Sequence, residues 1–178
     1  TFKINEFLVG DNLNPYIIAE IGVNHEGDIE LAKRLIDEAA EGGAHAAKFQ
    51  SYKAGLIASK NSPAYWDQTK EPTDSQYKLF QKYENFGPEE YIELAEHCKK
   101  VGIDFMSTPF DLDAVDFLNP LMPAFKVASA DITNVPLIRK CAKQGKPLIM
   151  STGAATLAEI EFALQTAKDA GATEISIL

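Results

Sequence analysis

Short runs rich in apolar and β-branched residues alternate with amphipathic stretches along most of the chain. YIIAEI (16–21), AHAAKFQ (44–50), IDFMST (103–108), AFKVAS (124–129), PLIMST (147–152) and EISIL (174–178) read as strands. Helical spacing of apolar residues covers 28–43, 87–102, 112–120, 135–145 and 156–171. In the first of these, Ala32, Leu35, Ile36 and Ala39 share one face and Asp28 is placed to cap the start. Pro88 lies in a first turn, and Thr156 with Glu159 forms a capping box. Gly42-Gly43, Gly102, Gly145 and Gly171 each follow a helix and precede a strand. This cadence predicts an α/β fold of five βα units and a sixth strand, all parallel. An eight-stranded (β/α)8 TIM barrel of about 250 residues would need two further strands, whereas an open doubly wound sheet closes at this length. The first βα turn, EIGVNHEGD, lacks GxGxxG, which argues against a dinucleotide site. Residues 51–86 form a polar, aromatic insertion with a short helix near 74–84, long enough for a lid or binding loop.

Polar side chains gather at the carboxyl ends of the strands. They are Glu20 in the first, Lys48 and Gln50 in the second, Thr108 in the third, Lys126 with Ser129 in the fourth, and Ser151 with Thr152 in the fifth. That end of a parallel sheet or barrel is where ligands bind. Two lysines and several hydroxyls at one mouth suit a phosphate and a carboxylate. Glu20 is suited to neutralise a lysine, act as a base or orient a hydroxyl. The structural alternative pairs Lys48 and Lys126 with Glu20 and Asp131 and gives them no further role, which requires those partners to be close.

The three histidines lack ligand spacing, so no metal site is expected within the chain. His25, in NHEGD, is either a loop anchor or a substrate contact. His45, on the strand face opposite Lys48, is expected to pack on a helix, and His97 to be structural or exposed. Tyr65, Trp66, Tyr77, Phe80 and Tyr83 either anchor the insertion or line a sugar or partner surface.

Composition narrows the class. Of 178 residues, 46% are hydrophobic and 24% charged, the balance of a globular protein with a core. The net charge of −9 and the lack of a basic stripe exclude nucleic acid as an expected partner. Cys98 and Cys141 are far apart in sequence and read as reduced structural thiols. No apolar run reaches the roughly 18 residues of a membrane span. TFKINEFLVG has no signal-peptide layout, so a cytoplasmic protein is expected.

IAEIGVNHEGD (18–28), GAHAAKFQSYKA (43–54), GIDFMSTPFD (102–111), PAFKVASADITNVPLI (123–138) and GKPLIMSTGAATLAEIE (145–161) resemble, in order and spacing, the sialic acid synthase family, whose members make N-acetylneuraminate, legionaminate and related acids. KAGLIASKNSPAYW (53–66) and SQYKLFQKYE (75–84) look most like bacterial members. The resemblance implies a (β/α)8 barrel followed by an antifreeze-like domain, a homodimer and a divalent metal, usually manganese. It implies condensation of phosphoenolpyruvate with an N-acetylated mannosamine-type sugar, releasing phosphate. Lys48, Thr108, Lys126, Ser129 and Ser151 match positions that hold phosphoenolpyruvate. Glu20 matches a carboxylate near the acceptor sugar, and Gln50 accompanies Lys48. Asp131 stands where some members have glutamate, so its sugar contact departs from the pattern.

The resemblance places the metal's histidine ligands and the antifreeze-like domain beyond Leu178. The chain then reads as the N-terminal part of a barrel, with Ile175 and Ile177 on an open edge. Two other readings are carried forward: a non-catalytic phosphosugar-binding barrel, and a synthase of keto-deoxy sugar acids with a phosphorylated acceptor. The latter needs extra basic residues, yet the only arginines are Arg34 and Arg139, both on helices.

Overall fold

The computed structural model describes residues 1–178. An N-terminal hairpin of β1 (Phe2–Ile4) and β2 (Phe7–Val9) precedes the repeating units. The units run β3 (Ile18–Gly22), α1 (Ile29–Glu41), β4 (Ala46–Ser51), α2 (Ala54–Ile57), α3 (Gln76–Tyr83), α4 (Pro88–Val101), β5 (Asp104–Pro109), α5 (Leu112–Leu118), β6 (Phe125–Val127), α6 (Val135–Ala142), β7 (Leu148–Met150), α7 (Leu157–Asp169) and β8 (Ile175–Ile177). The six expected strands and five connections are all present, and every ladder among them is parallel. The caps act as their residues predict: Asp28 accepts from Glu30 and Leu31 N–H, and Thr156 and Glu159 cap reciprocally. The sequence pattern missed the N-terminal hairpin and α2, both too short to show a period.

The strands form two three-stranded sheets, β3-β4-β5 and β6-β7-β8, with β5 and β6 as neighbours across a seam. The even-numbered N–H groups of Asp104 and Phe110 point to the β4 side. The Ser107 N–H therefore points towards β6, where it donates to the Met122 sulfur at 3.0 Å. A thioether replaces a strand carbonyl there, and the ladder stops.

Strand alternation separates two cores. On the helix-covered face, Phe49, Phe105, Phe125, Leu148 and Met150 pack against residues such as Ile36, Leu94, Leu118 and Ile138. The opposite face holds a small apolar layer of Ala46, Met106, Ala124 and Ile149, sealed from below by Ile4 of the hairpin. One step along each strand this face turns polar, at Lys48, Thr108, Lys126 and Ser151. The hairpin is tied down by Asp104, whose carboxylate accepts from the Asn5 amide and the Tyr16 hydroxyl. Burial and that carboxylate push the Tyr16 phenol well above its ordinary range.

Asp104→Ala leaves the half-buried Tyr16 hydroxyl and Asn5 amide without an acceptor. It should lower stability by about 1–3 kcal/mol. Tyr16→Phe, which removes only one donor, should cost less. Urea titration of the two variants checks the order; a Tyr16→Phe loss equal to that of Asp104→Ala would refute the tie.

Candidate active site

Glu20, Lys48 and Met106 stand abreast in register on β3, β4 and β5, and Gln50 is paired with Thr108. The Lys48 ammonium makes an ion pair with Glu20 and donates to Thr108 Oγ1 at 3.3 Å. Gln50 Nε2 donates to Glu20 Oε1 at 3.4 Å. Lys48 and Thr108 are buried, whereas the Glu20 side chain is half exposed at the open end of the cluster.

Gly22 makes this arrangement fit. The β3 register slips between Glu20 and Gly22, and Gly22 takes φ +59°. A Cβ there would meet Glu20 Oε1 at 3.3 Å and Gln50 Nε2 at 3.4 Å. Any other residue would be strained and would press on the Glu20–Gln50 contact. Sequence reasoning passed over this residue, although a glycine straight after a strand in EIGV signals a turn or a close approach.

Lys126 comes from the second sheet. It is 8% exposed, and its ammonium donates to the Val127 carbonyl at 3.1 Å. No carboxylate pairs with it. Burial above all, and the Lys48 charge, push its pKa down to about 8, with Glu20 partly offsetting them. The structural alternative is thus half met. Lys48 has its expected carboxylate, but Lys126 does not pair with Asp131. Asp131 sits in a 3-10 turn after β6 and accepts from the Asn134 amide at 3.1 Å. Its other carboxylate oxygen is buried without a partner, and burial raises its pKa.

Ser129 and Ser151 follow β6 and β7 and are half buried. The Ser151 N–H extends the ladder to the Val127 carbonyl at 3.1 Å. A Cβ at Gly153 would lie 3.5 Å from Ser129 Oγ, so the loop after β7 lies against Ser129. The structure therefore joins Glu20, Lys48, Gln50 and Thr108 by direct contacts and sets Lys126 within their field. Ser129 and Ser151 lie at the same strand ends, and Asp131 faces a neighbouring cleft.

Other polar residues turn away. His25 is buried, stacks on Phe86 at 4.1 Å, and accepts from the Gly27 N–H at 3.1 Å. Of its two readings, the loop anchor is the one this packing supports. Burial pushes its pKa down to about 4. His45 does not pack on a helix as expected. It accepts from the Ile17 N–H at 2.9 Å and lies against Phe7 and Tyr16, because the N-terminal hairpin occupies the space below β4. His97 pairs with Asp37 at 2.7 Å. No three His, Cys, Asp or Glu side chains converge, so the residues of this chain do not fit a resident divalent metal. Cys98 and Cys141 are free and buried, with pKa values pushed up to about 12. No helix is long and apolar enough to cross a membrane.

The insertion is fastened at both ends: Lys53 N–H donates to Asp111 at 3.1 Å, and Ala54 N–H to Glu84. Its aromatics divide. Trp66 anchors the loop through Nε1 to the Glu71 carbonyl at 3.0 Å, while Tyr65 is exposed. Phe80 packs on Tyr52 and, with Phe110, lines a cleft of about 350 Å³ that Gln50 shares.

This parallel α/β scaffold, with two lysines and a carboxylate gathered at its strand ends, defines the class: an α/β protein with a charged strand-end mouth. Known proteins give that class a family. A family profile described as the NeuB family matches residues 35–178, and the chain belongs to that family. The N,N'-diacetyllegionaminic acid synthase of Campylobacter jejuni is 48% identical over 164 residues, which cover 90% of this chain and 49% of that protein. The solved N-acetylneuraminic acid synthetase of Leptospira borgpetersenii superposes with a TM-score of 0.77 at 33% identity, covering 96% of this chain and 57% of that one. The spore coat polysaccharide biosynthesis protein SpsE of Bacillus subtilis gives 0.80 at 34% identity, covering 99% and 46%. The chain spans about half the length of the curated relatives it matches.

The buried neutral His25 makes acid stability testable. Its folded pKa of about 4 lies below the ordinary 6.5, so the unfolded chain binds more protons between those values. Stability from this group should be intact above pH 6.5 and lost progressively as pH falls towards 4. His25→Phe should flatten that part of a Tm-against-pH curve; an unchanged slope would show that other groups set it.

Proposed function

We propose that this chain supplies the phosphoenolpyruvate-binding part of a nonulosonic acid synthase, which joins phosphoenolpyruvate to an N-acetylated mannosamine-type sugar and releases phosphate. The observation that carries the reading is the buried Lys126 ammonium, held with no carboxylate partner beside the Lys48–Glu20 pair. A buried cation without a counter-ion is costly, and an anionic substrate offsets that cost. The family membership and the names of the relatives support the same reaction class.

We read the six parallel strands as an arc of a (β/α)8 barrel, with the polar face as its inner wall. Lys126 and Lys48 balance the carboxylate and phosphate of phosphoenolpyruvate, with hydroxyl donors from Thr108, Ser129 and Ser151. Carbon 3 of phosphoenolpyruvate bonds to the aldehyde carbon of the open-chain sugar, whose oxygen becomes a hydroxyl on taking up a proton. Water adds to carbon 2, and the C–O bond to phosphate breaks from the resulting tetrahedral centre. Glu20, half exposed and held by Gln50 and Lys48, faces the acceptor and orients its hydroxyls. The divalent metal that the resemblance implies, usually manganese, would be bound by residues outside this chain and polarise the aldehyde. A cytoplasmic homodimer is part of the same proposal.

Lys126→Met should raise the dissociation constant for phosphoenolpyruvate at least about 100-fold, the loss of a charge-assisted contact pair. The same change should leave Tm unchanged or raise it, because a buried unpaired charge is removed. A lower Tm with unchanged affinity would make the lysine structural. The pH profile gives an independent check. The folded pKa of about 8 lies below the ordinary 10.5, so the unfolded chain binds more protons in that interval, and stability from Lys126 rises with pH there. Affinity should nevertheless fall about tenfold per pH unit above 8, as the ammonium is lost. Calorimetric titration from pH 7 to 10 reads this; a flat profile would overturn the role of Lys126.

A further inference from the structure

The Gln50 side chain that steadies Glu20 hangs from a strand end tied on one side only. Towards β5, the Ser51 carbonyl accepts from the Phe110 N–H at 3.0 Å, and Ser51 Oγ meets Ser107 Oγ at 2.7 Å. Strand alternation points the Gln50 carbonyl the other way, towards β3. There β3 has already left the ladder. Its last pair with β4 is Gly22 with Phe49, and the Asn24 N–H turns back to the Ile21 carbonyl at 3.1 Å. A carbonyl shielded from water at this point needs another donor. The Tyr91 hydroxyl, reaching in from α4, supplies it at 2.8 Å.

Tyr91 is 5% exposed, and its ring lies among Phe86, Phe105 and Phe117, stacked on Phe117 at 5.8 Å between ring centres. Those neighbours need a ring, and phenylalanine would satisfy them. The hydroxyl answers a different need. Burial pushes its pKa up to about 12, so it stays a donor at neutral pH. The fixed ring aims that donor at one backbone atom, which belongs to the residue whose Nε2 donates to Glu20 Oε1. We propose that Tyr91 is a positioning residue: its hydroxyl replaces the missing β3 partner, fixes the end of β4, and through Gln50 sets where the Glu20 carboxylate stands. The effect on a reaction rests on the synthase reading, whereas the placement of Gln50 does not.

Tyr91→Phe keeps the ring and removes only the donor, so the fold should survive. Tyr16→Phe is the control, because it deletes a hydroxyl bond at the opposite end of the strands. NMR spectra of the protein carrying this chain read the placement through the Gln50 side-chain amide signal, assigned by its loss in Gln50→Ala. Tyr91→Phe should shift or broaden that signal, and Tyr16→Phe should not. An unmoved signal in Tyr91→Phe overturns the proposal. Phosphate release from phosphoenolpyruvate, with manganese and an N-acetylated mannosamine-type sugar, reads the consequence. Tyr91→Phe should lower kcat/KM for the sugar about tenfold, the scale of a displaced positioning group, and leave the Kd of phosphoenolpyruvate unchanged. In a Gln50→Ala background the same change should add less than about twofold, because both act through one contact. Full additivity, or a matching loss of phosphoenolpyruvate affinity, would overturn the positioning role. No release from the unsubstituted protein would instead refute the synthase reading, and the amide signal would still decide the role of Tyr91.

Discussion

The lysine at position 126 is the constraint on which the site depends. Its side chain is largely buried, and its ammonium has only a backbone carbonyl as a bonded partner. A chain evolved for stability alone would place an apolar residue there, since a buried cation loses hydration that one neutral acceptor does not restore. The surrounding structure carries this cost through two apolar layers. The helix-packed face is a continuous core, and the small layer of Ala46, Met106, Ala124 and Ile149 below the lysine keeps water from reaching it from the hairpin side.

Lys48 is built on the opposite principle. It is equally buried, yet its charge is matched by Glu20 and steadied by Thr108. Glu20 is in turn held by Gln50, and Gly22 leaves the space in which both side chains meet. The pair thus separates roles between two like residues: one lysine is neutralised and fixed, the other is left with charge to share. A small difference in environment, one carboxylate nearer to one of them, sets that division.

Much of this was legible in the sequence, for identifiable reasons. Strands such as AHAAKFQ and helices such as 156–171 announce themselves by period and caps, and the strand-end position of Lys48, Gln50, Thr108 and Lys126 follows from the alternation. What the sequence could not supply were distances. Nothing in FKVASAD shows that Asp131 turns into its own 3-10 loop and away from Lys126. His45 read as a helix contact because the hairpin whose Phe7 receives it, beside Tyr16, is too short to display a pattern. The division of the insertion's aromatics into an anchor at Trp66 and a cleft wall at Phe80 depends on how the loop folds back, which local pattern does not record.

The seam between β5 and β6 has a mechanical meaning. Lys48 belongs to one sheet and Lys126 to the other, and the ladder that would fix their spacing ends where Ser107 meets the Met122 sulfur. Hydrogen-bonded strands keep a set pitch, whereas a thioether contact is compliant. The gap between the two ammonium groups is therefore a degree of freedom of side-chain packing rather than of backbone geometry. Drift at this one joint would widen or narrow the distance between the two cations without altering either lysine.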